Sequence, residues 1–341
     1  MNLGKIVEFL EKKGPLLGIA LILVLGGYFI WHKFGPILPG GPLAPKKVPE
    51  PQFISQRNVP SVSLKAIVPR ERTLPVFLFR EKSLTPNRLW ALARNFGFEG
   101  EPQISQDARW GTMYHWSEDG KTLTTRANGE YFSFSYDFPA ENLTTFGDFS
   151  TPEEAKNIVW AFLEKEGLDS PLLSLATEKT SALKLTGARP SVTSLDQADV
   201  LEIHFRAQVE GYPLPAEEGS TADPVLAWID RGGKILKLDY YSLGEIGEKV
   251  GDYPLKSSAE VEEDLKAGKA VLVRSEAEKA ETLRGLTTIT QTSLAYFKVA
   301  DSQIYLQPIL VLKGWGDLTS GERAKITLYL PAISNVFFEA N

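Results

Sequence analysis

Three segments of the chain share one pattern, in which a helix N-cap signal is followed by a glycine that ends the helix. The N-cap residue and the terminating glycine are Thr85 and Gly97 in the first segment, Thr151 and Gly167 in the second, and Ser257 and Gly268 in the third. Pro86 suits a first helical position, and Glu154 and Glu260 complete capping boxes. Because helices this short are not stable alone, each must pack against another element.

Runs of alternating, β-branched and aromatic residues fill the intervals between these helices and predict strands. Asn128-Gly129 and Arg231-Gly232-Gly233 separate such runs and indicate tight hairpin turns. In IYLQPILVL, Pro308 removes one ladder donor, so we expect it at a sheet edge or a bulge. The pattern predicts an α+β fold, with a single N-terminal transmembrane helix followed by tandem units of a helix packed on an antiparallel sheet.

The first part of the chain carries no charge between Lys13 and Lys33. This length and the aromatic residues near its end predict a transmembrane helix at residues 15–34, with residues 1–14 cytoplasmic and the rest extracytoplasmic. The expected location is therefore the cell membrane, and residues 15–34 would contact the lipid bilayer. A cleaved signal peptide is the alternative, although the run ends in bulky aromatics without a small-residue cleavage site. Residues 35–60 are rich in Pro and Gly and predict a stalk, or else a flexible joint.

The 341-residue chain contains no cysteine, which excludes disulfides, thiolate zinc sites and a cysteine nucleophile. Its formal net charge is −6, although residues 1–50 have an excess of Lys and Arg. The remainder is therefore more acidic than the whole, and we expect no nucleic-acid partner.

A run of acidic residues, Glu260 to Asp264 with one valine, is the most conspicuous candidate for chemistry. It lies at a predicted helix start, where the helix dipole favours negative charge, so we interpret it as a solvated helix face. Neither His115 nor His204 has a histidine neighbour that would suggest a metal site. The usual nucleophile, phosphate-loop and calcium-loop motifs are absent from the sequence. We therefore predict no catalytic, cofactor or metal-binding residues.

Aromatic residues on predicted strands are the remaining binding candidates. Core packing and cross-strand pairing are the common alternative for such residues. Gln307 precedes Pro308, and Trp315 stands between two glycines, so these two look least like core residues. The weak candidates for partner binding are Tyr240, Tyr241, Tyr305, Gln307 and Trp315.

The segments VEGYPLP, LAWIDRGGKILKLDYYSLGE, DYPLKSSAEVEEDLKAG, LAYFKV, YLQPILVLKG and YLPAI occur in that order. Together they resemble the extracytoplasmic domains of the YycH/YycI family and the related PepSY-like modules, over about residues 148–335. The resemblance implies two units of this kind, at 148–250 and 251–341, preceded by an N-terminal α+β module at 61–147. It also implies a non-enzymatic role, in which the protein associates with a membrane sensor histidine kinase and restrains it.

The leading hypothesis is a membrane-anchored extracytoplasmic binding or regulatory protein whose partner is a membrane or cell-envelope protein. A hydrolase that acts on the cell envelope with paired carboxylates is one alternative. A structural component of a surface or secretion assembly is another.

Overall fold

The structure is a computed structural model, and it describes residues 45–53, 59, 61–108, 110–136, 151–176, 179–186, 189–216, 218, 220, 222–276, 283–298 and 305–339. Within these residues the fold is mostly β, with two large sheets and short helices. The helices are α1 (Pro86–Asn95), α2 (Pro152–Lys165) and α3 (Ser258–Lys266).

The strands are β1 (Ser61–Leu64), β2 (Thr73–Arg80), β3 (Gln103–Asp107), β4 (Gly111–Glu118), β5 (Lys121–Arg126), β6 (Tyr131–Tyr136), β7 (Leu173–Leu175), β8 (Ser181–Thr186), β9 (Arg189–Val192), β10 (Val200–Val209), β11 (Tyr212–Pro213), β12 (Val225–Asp230), β13 (Ile235–Tyr241), β14 (Glu245–Pro254), β15 (Val271–Ser275), β16 (Leu283–Phe297), β17 (Tyr305–Leu318) and β18 (Arg323–Pro331). A 3-10 turn follows at Asn335–Phe337.

The larger sheet, as far as the chain is described, has eleven strands in the order β3-β4-β5-β6-β13-β12-β10-β8-β9, with β7 and β11 also paired to β10. We call it the large sheet. Helices α1 and α2 pack on it through a single apolar core that includes Leu92, Val159, Leu163, Phe134 and Ile203. Burial of these side chains is the main force that holds both helices in place.

The second sheet, which we call the small sheet, has seven described strands. Five follow the order β1-β16-β17-β18-β15, while β2 pairs with both β14 and β17. Helix α3 covers one face, because Val261 and Leu265 pack in one core with Leu312 and Leu328.

The expectation of tandem units, each with its own helix and antiparallel sheet, is wrong. Strand β6 pairs with β13, which joins the predicted 61–147 module and the 148–250 unit in one sheet. Strands β1 and β2 pair with β16, β14 and β17 near the other end of the sequence. The core is therefore shared between distant segments, because strand pairing is decided by long-range burial and not by order along the chain.

The expectation of a membrane-spanning helix is also not supported. No helix in the part of the chain that the structure describes is long and apolar enough to cross a bilayer. The predicted segment at 15–34 lies outside the described residues. Residues 45–53, which belong to the predicted stalk, pack on the small sheet: Val48 is buried, and the ring of Phe53 lies 5.0 Å from that of Phe297.

Local predictions were more successful. The capping boxes of α2 and α3 are confirmed, and Thr85 is the N-cap of α1, although its side chain makes no capping hydrogen bond. Pro308 lies inside β17 and not at an outer sheet edge: it pairs with Tyr296 on one side, and on the other side neither β2 nor β18 pairs with it. Its carbonyl accepts from Ala332 N at the point where the partner of β17 changes from β2 to β18. In a strand, the N–H and C=O of one residue point to the same side, so the N–H that proline lacks would point away from β16. The ladder between β16 and β17 therefore loses no hydrogen bond.

Candidate functional site

The most distinctive surface of the described chain is the exposed part of the small-sheet face opposite α3. We call this part the open face, and it is formed by Arg274, Gln291, Lys313, Trp315, Lys325 and Thr327. Strand alternation places Leu312 and Leu328 under α3 and places Lys313 and Thr327 on the open face. The register aligns Gln291, Lys313, Thr327 and Arg274 in one row across four strands. Trp315 and Lys325 form the next row.

Trp315 is 40% exposed, and the Nζ atom of Lys325 lies 5.8 Å from the centre of its ring. The two flanking glycines face the other side of the sheet. A Cβ at Gly314 would collide with the carbonyl oxygen of Thr288, and one at Gly316 would collide with Leu283. The glycines therefore allow β16 to approach closely on the covered face while the tryptophan projects from the open face.

Positive charge surrounds this tryptophan. Glu276 lies 3.8 Å from Arg274 and 3.9 Å from Lys325, so one carboxylate is shared by two cations. Lys313 is exposed and, among the described residues, has no carboxylate partner. A depression of about 240 Å³ is lined by the charged residues Arg274, Glu276, Lys313 and Lys325, by Trp315, and by the polar residues Gln291 and Thr327. The open face thus has a net positive charge on a protein whose formal net charge is −6.

The depression continues into a cleft of about 280 Å³ between the two sheets. Lys313 and Thr327 line both cavities. The small sheet contributes Ala295, Val311 and Tyr329, and the large sheet and the loop before β12 contribute mainly apolar residues, such as Leu214 and Pro224. An extended ligand could therefore contact Trp315 at one end and an apolar cleft at the other.

A charged network lies at the edge of this cleft. His204 Nδ1 is 2.9 Å from Asp223 Oδ2, and its Nε2 is 3.1 Å from Glu202 Oε1. Lys179 Nζ also donates to Asp223. The hydrogen bonds to Asp223 and Glu202 raise the pKa of His204 to about 9. Burial favours a higher pKa for Asp223, but the bonds from His204 and Lys179 outweigh it and the pKa is lowered.

His204 is therefore a protonated link between two carboxylates at neutral pH, which does not suit a general base. Within the described ranges, no group of three or more His, Asp or Glu side chains could hold a metal ion.

The predicted binding residues do not form one site. Tyr240 is buried against Phe132, and its hydroxyl donates to Leu168 O. The Tyr241 ring lies 4.8 Å from Tyr131, also on the large sheet. Tyr305 packs beside the core that contains Val48 and Tyr253.

Gln307 and Trp315 share one face of β17, but only Trp315 lies on the open face. Gln307 is buried where residues 45–53 cover the sheet, and its Nε2 donates to Pro49 O. Partner binding by Trp315 therefore stays a prediction, and its exposed position suits that role. Gln307 is instead bound within the chain, by Pro49.

The interpretation of the acidic run as a wholly solvated face is wrong for one residue. Asp264 is 1% exposed, and its carboxylate lies 2.7 Å from the Nζ atoms of both Lys256 and Lys269. Glu260 caps α3 and accepts a hydrogen bond from Ser334. Glu262 and Glu263 are exposed, as predicted. The helical spacing places Asp264 beside Val261 and Leu265 on the covered side, where Lys256 supplies the opposite charge.

Sequence reasoning missed Lys256, Arg274, Lys313 and Lys325. The alternation in VLKGWGD and AKITL could have placed Lys313, Trp315 and Lys325 on one face if the β17–β18 register had been inferred. No comparable signal identifies Lys256, because its buried position depends on residues from two later segments.

Comparison with known proteins adds little to this description. No protein-family model matches the chain, and no curated protein is significantly similar to it. A solved structure of an uncharacterized protein from Eubacterium rectale ATCC 33656 is similar, with 14% identity, a TM-score of 0.40, and coverage of 83% of this chain and 90% of that one.

Proposed function

We propose that this protein is a non-catalytic binding protein whose open face recognises an acidic, extended segment of a partner protein. The observation that carries the proposal is the exposed Trp315 beside Arg274, Lys313 and Lys325 on the open face of the small sheet. Tryptophan and arginine are, with tyrosine, the residue types most enriched in binding hot spots.

Charge complementarity favours an acidic partner over a neutral one. The open face is positive on an otherwise acidic protein, so an acidic segment is attracted there and repelled elsewhere. The row of side chains across four strands and the adjoining apolar cleft suit an extended chain with acidic residues at one end and apolar residues at the other. The regulatory role implied by the YycH/YycI resemblance would place this segment on a regulated protein, such as a histidine kinase.

Fluorescence anisotropy with a labelled oligomer of glutamate tests the proposal on the full-length protein. We expect saturable binding that weakens as salt is added, because exposed charges are screened. Lys313→Glu should reduce affinity about tenfold, which is within the range for a charge in an interface. Lys266→Glu is the matched control, because Lys266 is an exposed lysine at the end of α3, and it should leave affinity unchanged.

Equal losses in the two variants would show attraction to the whole molecule and would overturn the assignment to the open face. Binding of a lysine oligomer as strong as that of the glutamate oligomer would also overturn it. The hydrolase and structural-component alternatives stay predictions.

A further inference from the structure

Residues 254–256, which precede α3, lie beside residues 332–334, which follow β18, and backbone hydrogen bonds connect the two segments. Leu255 forms an isolated antiparallel bridge with Ile333. Lys256 N donates to Ala332 O at 2.8 Å, and Ser334 N donates to Pro254 O at 3.0 Å. These backbone bonds hold Lys256 and Asn335 on neighbouring segments that are distant in the sequence.

The side chains of Lys256 and Asn335 meet at one carboxylate. Lys256 Nζ lies 2.7 Å from Asp264 Oδ2 and donates to Pro331 O at 2.8 Å. Asn335 Nδ2 lies 3.0 Å from Asp264 Oδ1 and 3.3 Å from Oδ2. The amine of the lysine and the amide nitrogen of the asparagine therefore both contact a single oxygen atom, Asp264 Oδ2.

Buried apolar side chains pack against this group, and Lys269 contacts it from the solvent side. The side chains of Lys256 and Asp264 are 0% and 1% exposed, and Asn335 is partly buried. Val261, Ile333, Phe337 and Phe338 are buried around the same junction, and the Phe338 ring centre is 5.7 Å from Lys256 Nζ. A buried ammonium is destabilised by the loss of water, and burial lowers the pKa of Lys256 despite the attraction of Asp264.

Lys269 provides an internal comparison. It also contacts Asp264, at Oδ1, but it is 44% exposed, and its bond to Asp264 raises its pKa. Lys269 therefore stays protonated in water, whereas Lys256 is the amine that can become a nucleophile inside the protein.

We propose that Lys256 and Asn335 condense spontaneously into an intramolecular amide bond, with Asp264 as the catalytic acid and base. Asp264 accepts a proton from the Lys256 ammonium, and the neutral Nζ attacks Cγ of Asn335. A new Nζ–Cγ bond forms, and the Cγ–Nδ2 bond breaks as Asp264 delivers a proton to the departing nitrogen. Lys256 loses two protons in total, one of which leaves in the ammonia while the other passes through Asp264 to solvent.

The reaction happens once per molecule and needs no oxidant, cofactor or second substrate. It would join the start of α3 covalently to the end of the small sheet in a chain that has no cysteine for a disulfide. Closing so long a loop restricts the unfolded chain and is expected to stabilise the fold, as a disulfide does.

Intact mass spectrometry of the folded full-length protein tests the proposal. We expect a mass lower than that of the sequence by one ammonia, and proteolysis should yield a branched peptide that joins Lys256 to Asn335. The Lys256→Met and Asn335→Ala variants should each have the full mass calculated from their own sequence, with no loss of ammonia. Lys269→Met is the matched control and should still lose ammonia, because Lys269 is not the nucleophile.

A folded wild-type protein with its full sequence mass after prolonged incubation would overturn the proposal, whatever the variants do. Loss of ammonia without the branched peptide would also overturn it, since that result indicates a change confined to one asparagine.

Discussion

Leu312 and Lys313 are neighbours in β17 but lie on opposite faces of the small sheet. Leu312 is fully buried beneath α3, whereas Lys313 is exposed on the open face. Burial of a leucine is favourable and explains its presence without reference to function. A row of basic side chains beside an exposed tryptophan has no such explanation, because it contributes little to the core. The difference separates residues that the fold requires from residues available for binding.

Helix α3 shows the same contrast, between the exposed Glu263 and the buried Asp264. Of the substitutions considered, Asp264→Ala should reduce the free energy of unfolding most. The variant removes the carboxylate that Lys256 contacts in the core, so the lysine is left buried without its partner charge. Loss of one member of a buried ion pair costs about 3–5 kcal/mol of stability. Urea unfolding followed by circular dichroism measures the change.

Glu263→Ala is the control for this prediction, since Glu263 is the exposed neighbour of Asp264 and should change stability by no more than about 0.5 kcal/mol. Asp264→Ala also removes the catalytic group of the proposed condensation, so Lys256 in this variant keeps its charge and has neither a carboxylate partner nor the amide bond. Similar stabilities for the two variants would contradict the structural role of Asp264.

The two faces of β17 are compared directly by Leu312→Ala and Lys313→Ala. Leu312→Ala leaves a cavity under α3 and should cost about 2–5 kcal/mol. Lys313→Ala should stay within about 0.5 kcal/mol of the wild type, because the lysine is exposed. Unfolding midpoints in urea give both values. A large loss in Lys313→Ala would indicate that the open face is required for folding.

The comparison also explains how far the sequence predicts this fold. The capping boxes of Thr151 with Glu154 and Ser257 with Glu260 are local signals, and the structure contains both. The pairing of β1 with β16 and of β6 with β13 connects segments far apart in the chain. Local patterns define which face of a strand is apolar, but not which strand lies beside it.

The candidate site was predictable only in part, for the same reason. Gln307 and Trp315 have the same alternation in β17, but residues 45–53 cover Gln307, whereas Trp315 is 40% exposed. The burial of Asp264 depends on Lys256 and on Asn335, which follows it by 71 residues. Neither relation can be derived from the helical spacing of the acidic run alone.

His204 is a charged group that two carboxylates hold in place, whereas the cations of the open face are exposed. Its pKa is raised from 6.5 to about 9, first by the hydrogen bond to Asp223 and then by that to Glu202. The folded state therefore binds this proton more tightly than the unfolded state. The contribution to stability is complete below pH 6.5 and disappears as the pH rises through about 9.

We expect the wild type to lose stability relative to His204→Gln across this pH range, as measured by urea unfolding at a series of pH values. An NMR titration of the imidazole measures the pKa directly. A midpoint near 6.5 would show that the carboxylates do not hold the proton.

Trp315→Ala should have a small effect on stability and a large effect on binding. The side chain is 40% exposed, so we expect a stability loss of about 1 kcal/mol, less than for a core residue. As the aromatic centre of the open face, it should contribute about 2 kcal/mol to binding of an acidic segment, which corresponds to a roughly 30-fold loss of affinity. Anisotropy with a glutamate oligomer that ends in apolar residues measures the affinity.

Trp90→Ala is the matched control, because Trp90 lies on α1 and packs at right angles to Trp116 on the large sheet. It should reduce stability more than Trp315→Ala and leave the affinity unchanged. The reverse result, with a folding defect from Trp315→Ala and unchanged binding, would mean that the tryptophan belongs to the packing of the sheet. In that case both faces of β17 would serve the packing of the fold, and the site of recognition would have to lie in the cleft between the two sheets.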